Sequence, residues 1–153
     1  MMRCHPLFHG FAAPRAPILG AYRFEVLGPE AVEEDFVAVV ESTERLAGFM
    51  GGDWPNGLTL EENRVDLCWH LKEFEMNRSF AWIARDEAGG YIGCVYIFPR
   101  FAANVADVPV WVRSGAGPDA VEATLKAVLH DWLHGPDWPD LDYRIVTPSD
   151  RRG

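Results

Sequence analysis

A strand, a turn with two glycines and a helix follow one another directly in the segment 108–135, and this unit constrains the fold more than any other part of the sequence. The run 108–112 is short and apolar. Gly115 and Gly117 form the turn, and Pro118 indicates the first turn of a helix, where its missing N–H is not needed. Apolar residues then recur every three or four positions: Val121, Leu125, Val128, Leu129 and Trp132.

The other segments add strands and helices on both sides of this unit. The predicted order is a strand at 22–27, a helix after Pro29, a helix at 59–76 that begins with a capping box, strands at 80–85 and 91–98, the strand 108–112, its helix and a last strand at 141–146. The predicted buried positions are Phe36, Val37, Val40 and Leu46 in the first helix, and Leu60, Asn63, Leu67, His70, Leu71 and Phe74 in the second. We expect an irregular arm at 1–20 and one domain at 21–153.

Charge and composition exclude several classes of protein. The chain has 153 residues, of which 48% are hydrophobic, which is enough for one core. Its 14 basic and 23 acidic side chains give a net charge of −9, which disfavours a nucleic-acid partner. No apolar run approaches the roughly 20 residues of a membrane span. Three scattered cysteines indicate reduced thiols in the cytoplasm.

The order of elements resembles the GNAT N-acetyltransferase superfamily over about residues 22–146. The closest stretches are Leu58–Asn63, Gly93–Ile97 and Trp111–Arg113, which look like small GNAT-like proteins of unassigned substrate. The resemblance implies an α+β fold with a mixed, mostly antiparallel sheet flanked by helices and truncated after the fifth strand. It also implies that the strands 108–112 and 141–146 are neighbours that splay apart.

The resemblance implies acetyl-CoA as co-substrate, with its pantetheine arm in the splay and its pyrophosphate on the glycine loop at a helix N-terminus. Counted from Arg113, the two family glycine positions hold Ala116 and Pro118; counted from Val112, the glycines match but the first position is Val. A simple tight turn is the alternative. The predicted cofactor-binding residues are Val110, Trp111, Val112, Arg113, Ser114, Gly115, Ala116, Gly117 and Asp119.

Candidate catalytic and substrate residues follow from the same resemblance. Asp107, or a water held near it, is the candidate base, and Tyr96 and Tyr143 are the candidate acids. Each of these also suits a packing or surface role. Trp54 and Trp69 are expected to line the site of an unidentified small-molecule or peptide amine.

Two other function classes remain open. One is a GNAT-shaped binding or dimerisation module without catalysis. The other is a zinc-dependent hydrolase, because His130 and His134 lie four residues apart on one helix, although no third ligand is evident.

A homodimer is expected, because the elements that follow the fifth strand in the family, and cover one sheet edge there, are missing here. The alternative is that the N-terminal arm covers the exposed surface of a monomer. The arm residues that suit this role are Leu7, Phe8, Phe11, Ile18 and Leu19.

Overall fold

Six strands form a single sheet in which spatial order follows chain order. A computed structural model describes residues 4–151 of the chain. The strands are β1 (Ile18–Leu19), β2 (Tyr22–Val26), β3 (Phe80–Arg85), β4 (Tyr91–Pro99), β5 (Val105–Val112) and β6 (Asp142–Val146). Neighbours from β1 to β5 are antiparallel, and β5 and β6 are parallel. The expected mixed, mostly antiparallel sheet is confirmed.

Four helices lie between the strands. They are α1 (Val32–Glu41), α2 (Thr43–Leu46), α3 (Leu60–Glu75) and α4 (Pro118–Leu133), and short 3-10 turns occur at Pro6–Phe8, Pro29–Ala31, Ser114–Ala116 and Pro148–Arg151. The predicted capping box is present, since the Thr59 hydroxyl accepts from the Glu62 amide at 3.1 Å. Every helix in the described part of the chain is too short or too polar to span a bilayer.

The two faces of the sheet carry two separate cores, because successive side chains of a strand point to opposite faces. In β3, Trp82 packs with α4 residues such as Leu125 and Leu129. The neighbouring Ile83 packs on the other face with Val39 of α1 and Leu67 of α3. Helix α4 therefore covers one face, and α1 and α3 cover the other.

The N-terminal segment is part of the first core. Phe8 is fully buried and its ring lies 5.4 Å from that of Phe80, while the Trp82 indole donates to the Pro14 carbonyl oxygen at 3.0 Å. Further along, β1 pairs with β2. Apart from the turn Pro6–Phe8 and β1, residues 4–20 have no regular secondary structure. β1 is the strand by which the sheet exceeds the five that were predicted. The segment packs on the core because its apolar side chains bury area that would otherwise face water.

The first helix is rotated relative to the prediction. Val37 and Val40 are exposed, whereas Val32, Asp35 and Val39 are buried. Pro29 starts a 3-10 turn, and the α-helix begins only at Val32, so the buried stripe has a different phase.

Strand β5 continues beyond its pairing with β6. Their pairing runs from Val105 and Asp142 to Pro109 and Val146. Beyond that pair β5 continues to Val112, while the chain after Val146 enters the turn Pro148–Arg151. The expected pairing of these two strands is confirmed, and the expected splay between them stays a prediction.

Candidate functional site

A cavity of about 270 Å³ lies on the face of the sheet that α1 and α3 cover. The loop after α2, one side of α3 and the end of β4 contribute its walls. The lining residues are Met50, Trp54, Asp66, Trp69, His70, Tyr96 and Phe98. Helical spacing brings residues 66, 69 and 70 to one side of α3, and strand alternation brings residues 96 and 98 to one face of β4. The cavity thus joins three residues that the sequence had singled out, namely Trp54, Trp69 and Tyr96.

His70 is the most unusual group in this cavity. Its side chain is buried, and its Nδ1 has no hydrogen-bond partner among the described residues. Its Nε2 lies 3.5 Å from a carboxylate oxygen of Asp66, and its ring centroid lies 5.3 Å from that of Tyr96. Sequence reasoning treated His70 as a core position and passed over Asp66. The spacing of four residues between an acid and a histidine on one helix was the available signal.

Tyr96 connects the cavity to β5. The Trp111 indole N–H donates to the Tyr96 hydroxyl at 3.0 Å, and Trp111 lies in the part of β5 beyond its pairing with β6. Burial raises the pKa of Tyr96 well above its ordinary value, so the hydroxyl keeps its proton at neutral pH. Tyr96 therefore lines the cavity as a neutral phenol.

A buried polar network lies under α1 beside the cavity. The Asp35 carboxylate accepts from the Tyr91 hydroxyl and, at 2.9 Å, from the Asn63 amide. Burial raises the pKa of Asp35, and burial also raises the pKa of the Cys94 thiol, which lies 2.9 Å from the Tyr91 oxygen. A thiol that stays protonated is a poor nucleophile, so Cys94 has a structural role here.

The other two candidate catalytic residues lie away from the cavity. Asp107 forms a two-pronged ion pair with Arg100, with both N–O distances at 2.8 Å, and hydrogen bonding from this guanidinium lowers the pKa of Asp107. The Tyr143 hydroxyl donates to the Pro139 carbonyl oxygen at 2.7 Å. Neither residue lines the cavity.

An ionic cluster fills the opening between β5 and the turn after β6. Glu122 of α4 is fully buried, and its carboxylate accepts from Arg45 at 2.6 Å, from the Val112 amide at 3.1 Å and from the Ser149 hydroxyl at 2.6 Å. Arg45 also lies 3.0 Å from Asp119. The cluster joins α2, β5, α4 and the C-terminal turn, and sequence reasoning missed Arg45, Glu122 and Ser149.

Comparison with solved structures identifies the fold. The microcin C7 self-immunity acetyltransferase MccE, in complex with acetyl-CoA and AMP, matches with a TM-score of 0.69 at 10% identity, over 88% of this chain and 73% of that one. RimL, the ribosomal L7/L12 α-N-protein acetyltransferase in complex with CoA, matches with a TM-score of 0.63 at 14% identity, over 80% of this chain and 69% of that one. The ribosomal-protein-S5-alanine acetyltransferase from Vibrio fischeri matches with a TM-score of 0.62 at 16% identity, over 78% of this chain and 67% of that one.

This chain has the GNAT fold. No protein-family model and no curated protein matches the sequence. At these identities the likeness concerns the arrangement of the backbone, so the chemistry must be argued from this chain's own residues.

The loop 113–118 corresponds to the one at which GNAT enzymes bind pyrophosphate. Several of its backbone amides donate hydrogen bonds within the protein. The amide of Arg113 donates to the Ile92 carbonyl oxygen at 2.8 Å, that of Ser114 to the Ser42 hydroxyl at 2.9 Å, and that of Ala116 to the Arg113 carbonyl oxygen at 3.0 Å. Pro118 has no N–H to offer. In this conformation three amides of the loop donate to partners within the protein.

The remaining predicted cofactor residues differ in their surroundings. Val110, Trp111 and Val112 are fully buried. Arg113 pairs with Glu41 at 2.5 Å, and this guanidinium lowers the pKa of Glu41. Gly117 has a φ of 64° and starts α4 in the left-handed region, where glycine is favoured. Beyond its pairing with β6, β5 is contacted by a side chain of α4, since the Val112 amide donates to the Glu122 carboxylate.

His130 and His134, the histidine pair of α4, are both exposed to solvent. The two rings are 4.4 Å apart, and Nδ1 of His134 lies 2.8 Å from the His130 carbonyl oxygen. Residues 4–151 contain no group of three or more His, Cys, Asp or Glu side chains that could hold a metal ion.

Proposed function

We propose that the protein is an acetyl-CoA-dependent N-acetyltransferase that acts on a small-molecule or peptide amine. The GNAT fold supports this, together with relatives of that fold that are named as acetyltransferases and are bound to CoA or acetyl-CoA. The observation that carries the proposal is the hydrogen bond between Trp111 and Tyr96. It joins the unpaired end of β5, along which the family binds the pantetheine arm, to the floor of the aromatic cavity.

The chain's own residues have distinct parts in this proposal. Acetyl-CoA supplies an acetyl group activated as a thioester. The cavity binds the amine between Trp54 and Trp69. Tyr96 offers a protonated hydroxyl, and Trp111 fixes its orientation because the indole occupies one of its acceptor lone pairs. In the structure as it stands, Glu122 and Ser149 close the splay, so the co-substrate has to displace the turn after β6.

Release of free thiol tests the function. The protein is mixed with acetyl-CoA and either 2-phenylethylamine or a short peptide with a free N-terminus, and CoA is measured with a thiol reagent. We expect amine-dependent release that Tyr96→Phe lowers by about 10²-fold. Tyr22→Phe, in β2, is the matched control. If Tyr143 is the acid instead, Tyr143→Phe causes the loss and Tyr96→Phe does not.

The second candidate is a GNAT-shaped binding module without catalysis. The observation that favours it is the cluster around Glu122, which places a buried carboxylate where the co-substrate would lie. A calorimetric titration with millimolar acetyl-CoA that shows no binding heat, together with no thiol release for any amine, favours the binding module over the enzyme.

We also propose that the protein is a cytoplasmic homodimer. The exposed apolar side chains of α1 and α3, among them Val37, Val40 and Val65, support association with a second copy. The thiol of Cys94, which is buried and forms no disulfide, suits a reducing compartment. Light scattering at high concentration tests the dimer, and a particle of 17.2 kDa contradicts it.

A further inference from the structure

We propose that His130 and His134 form a two-ligand site for a divalent transition-metal ion at the C-terminal end of α4. Residues 4–151 hold no group of three or more His, Cys, Asp or Glu side chains suited to a metal, so water completes the coordination. The site is independent of the proposed function, because α4 covers the face of the sheet opposite to the aromatic cavity.

Helical spacing brings the two imidazoles together. His130 lies in the last turn of α4, and His134 is its C-cap residue, whose amide still donates to the His130 carbonyl oxygen at 3.1 Å. Two histidines four residues apart on one helix face are the spacing that helical zinc motifs use. The ring centroids are 4.4 Å apart. Because a metal–nitrogen bond is about 2.0–2.1 Å long, two nitrogens on one ion lie at most about 4.2 Å apart, so a small rotation of these exposed rings is sufficient.

A hydrogen bond sets the tautomer of His134. Its Nδ1 lies 2.8 Å from the His130 carbonyl oxygen. A carbonyl oxygen only accepts, so Nδ1 carries the proton, and in the neutral ring the lone pair is on Nε2. Histidines that bind metals almost always donate their other N–H to an oxygen in this way, which fixes the ring and raises the basicity of the ligating nitrogen. His134 is therefore held in the form that a metal ion requires.

The charges around the pair favour a cation. Nδ1 of His130 lies 3.5 Å from a carboxylate oxygen of Asp131. Lys126, four residues before His130, is paired with Asp150 at 3.1 Å, so its positive charge is offset. The whole chain carries a net charge of −9, which adds to the attraction for a positive ion.

The helix dipole is the other explanation of histidines at this place, because basic side chains near a helix C-terminus interact favourably with the last carbonyl groups. It accounts for each histidine separately, and it accounts for the bond from His134 to the His130 carbonyl oxygen. It does not account for the contact between the two rings. A metal that both rings bind accounts for that contact as well.

The donor set selects the class of ion. Imidazole nitrogens suit Cu²⁺, Ni²⁺ and Zn²⁺, whereas Mg²⁺ and Ca²⁺ prefer oxygen ligands. Among the divalent ions Cu²⁺ should bind most tightly. Cys68 has an exposed thiol that Cu²⁺ can oxidise, so Ni²⁺ is the better probe for this chain.

Calorimetry with Ni²⁺ on the full chain tests the site. We expect one ion per chain, and no binding heat with Mg²⁺ at the same concentration. His130→Asn and His134→Asn should each lower the affinity by about 10²-fold, because the loss of one ligand turns a two-point attachment into a single one. His9→Asn removes an exposed histidine outside α4 and is the matched control, which should bind like wild type.

Two further measurements locate the ion. Ni²⁺ should raise the melting temperature of wild type and of His9→Asn but not of the two α4 variants, because a ligand of the folded state stabilises it. Paramagnetic Ni²⁺ should broaden the amide NMR signals of residues 130–134 more than those of the other helices. Equal affinity for wild type and both α4 variants overturns the proposal, as does one ion per two chains or the absence of Ni²⁺ binding.

Discussion

The carboxylate of Glu122 accepts a hydrogen bond from the backbone amide of Val112 at 3.1 Å. A side chain of α4 thereby accepts the hydrogen bond of a β5 amide that lies beyond the last pair between β5 and β6. Arg45 lies on the same carboxylate, so the charge is compensated by a side chain from α2. The end of β5 beyond β6 is thus hydrogen-bonded to a member of an internal ion pair.

Arg45→Ala should destabilise the protein strongly. The substitution leaves the fully buried Glu122 without its cationic partner, and breaking a buried pair in this way costs about 3–5 kcal/mol. Urea unfolding at neutral pH measures the loss. Arg144→Ala is the control, because its pair with Asp142 is exposed and contributes less than about 1 kcal/mol. Similar unfolding midpoints for the two variants contradict the prediction.

Glu122→Gln should strengthen acetyl-CoA binding. The change keeps the shape of the side chain and removes the negative charge next to the splay, where it opposes the phosphates of the ligand. We expect at least tenfold higher affinity by calorimetry. Glu61→Gln, on the exposed side of α3, removes the same charge elsewhere and serves as the control. Equal affinities for wild type and both variants show that the ligand does not approach Glu122.

The sequence predicted the strands and the long helices but not the partners of their polar side chains. Periodicity places Trp82 and Leu125 in a core, because apolar burial alone sets such positions. It says nothing about Glu122, since nothing local reveals that Arg45, 77 residues away, will pair with it. The same limit applies to Asp35. Its carboxylate can be buried because Tyr91 and Asn63 donate hydrogen bonds to it.

The site was predicted in part for a related reason. Trp54, Trp69 and Tyr96 were chosen on the resemblance and meet in one cavity. His70 has the spacing of a core residue in α3, and only the three-dimensional structure shows that its Nδ1 has no partner in the described part of the chain.

Asp35→Asn should change how stability depends on pH. Burial raises the pKa of Asp35 in the folded state above its unfolded value, so the folded protein binds the proton more tightly. Stability from this group is fully present below the unfolded pKa, about 4, and is lost as the pH rises through the folded pKa. The Asn variant does not titrate, so its stability relative to wild type should increase with pH. Urea unfolding of both proteins between pH 4 and pH 7 measures this difference, and a constant difference contradicts it.

Gly93→Ala should disturb the junction of β4 and β5 next to the cavity. A Cβ at this position would overlap the carbonyl oxygen of Trp111 and lie 2.9 Å from the Cα of Val112, and both are backbone atoms that cannot turn aside. The strands must separate locally, which should cost about 1–3 kcal/mol. The shift should also weaken the hydrogen bond from Trp111 to Tyr96, so amine binding should fall along with stability. Gly115→Ala is the matched control, because its Cβ would meet nothing closer than 3.7 Å. Thermal unfolding and a tryptophan-fluorescence titration with 2-phenylethylamine measure the two effects. A Gly93→Ala protein that matches the control in both shows that the strand junction does not position the cavity.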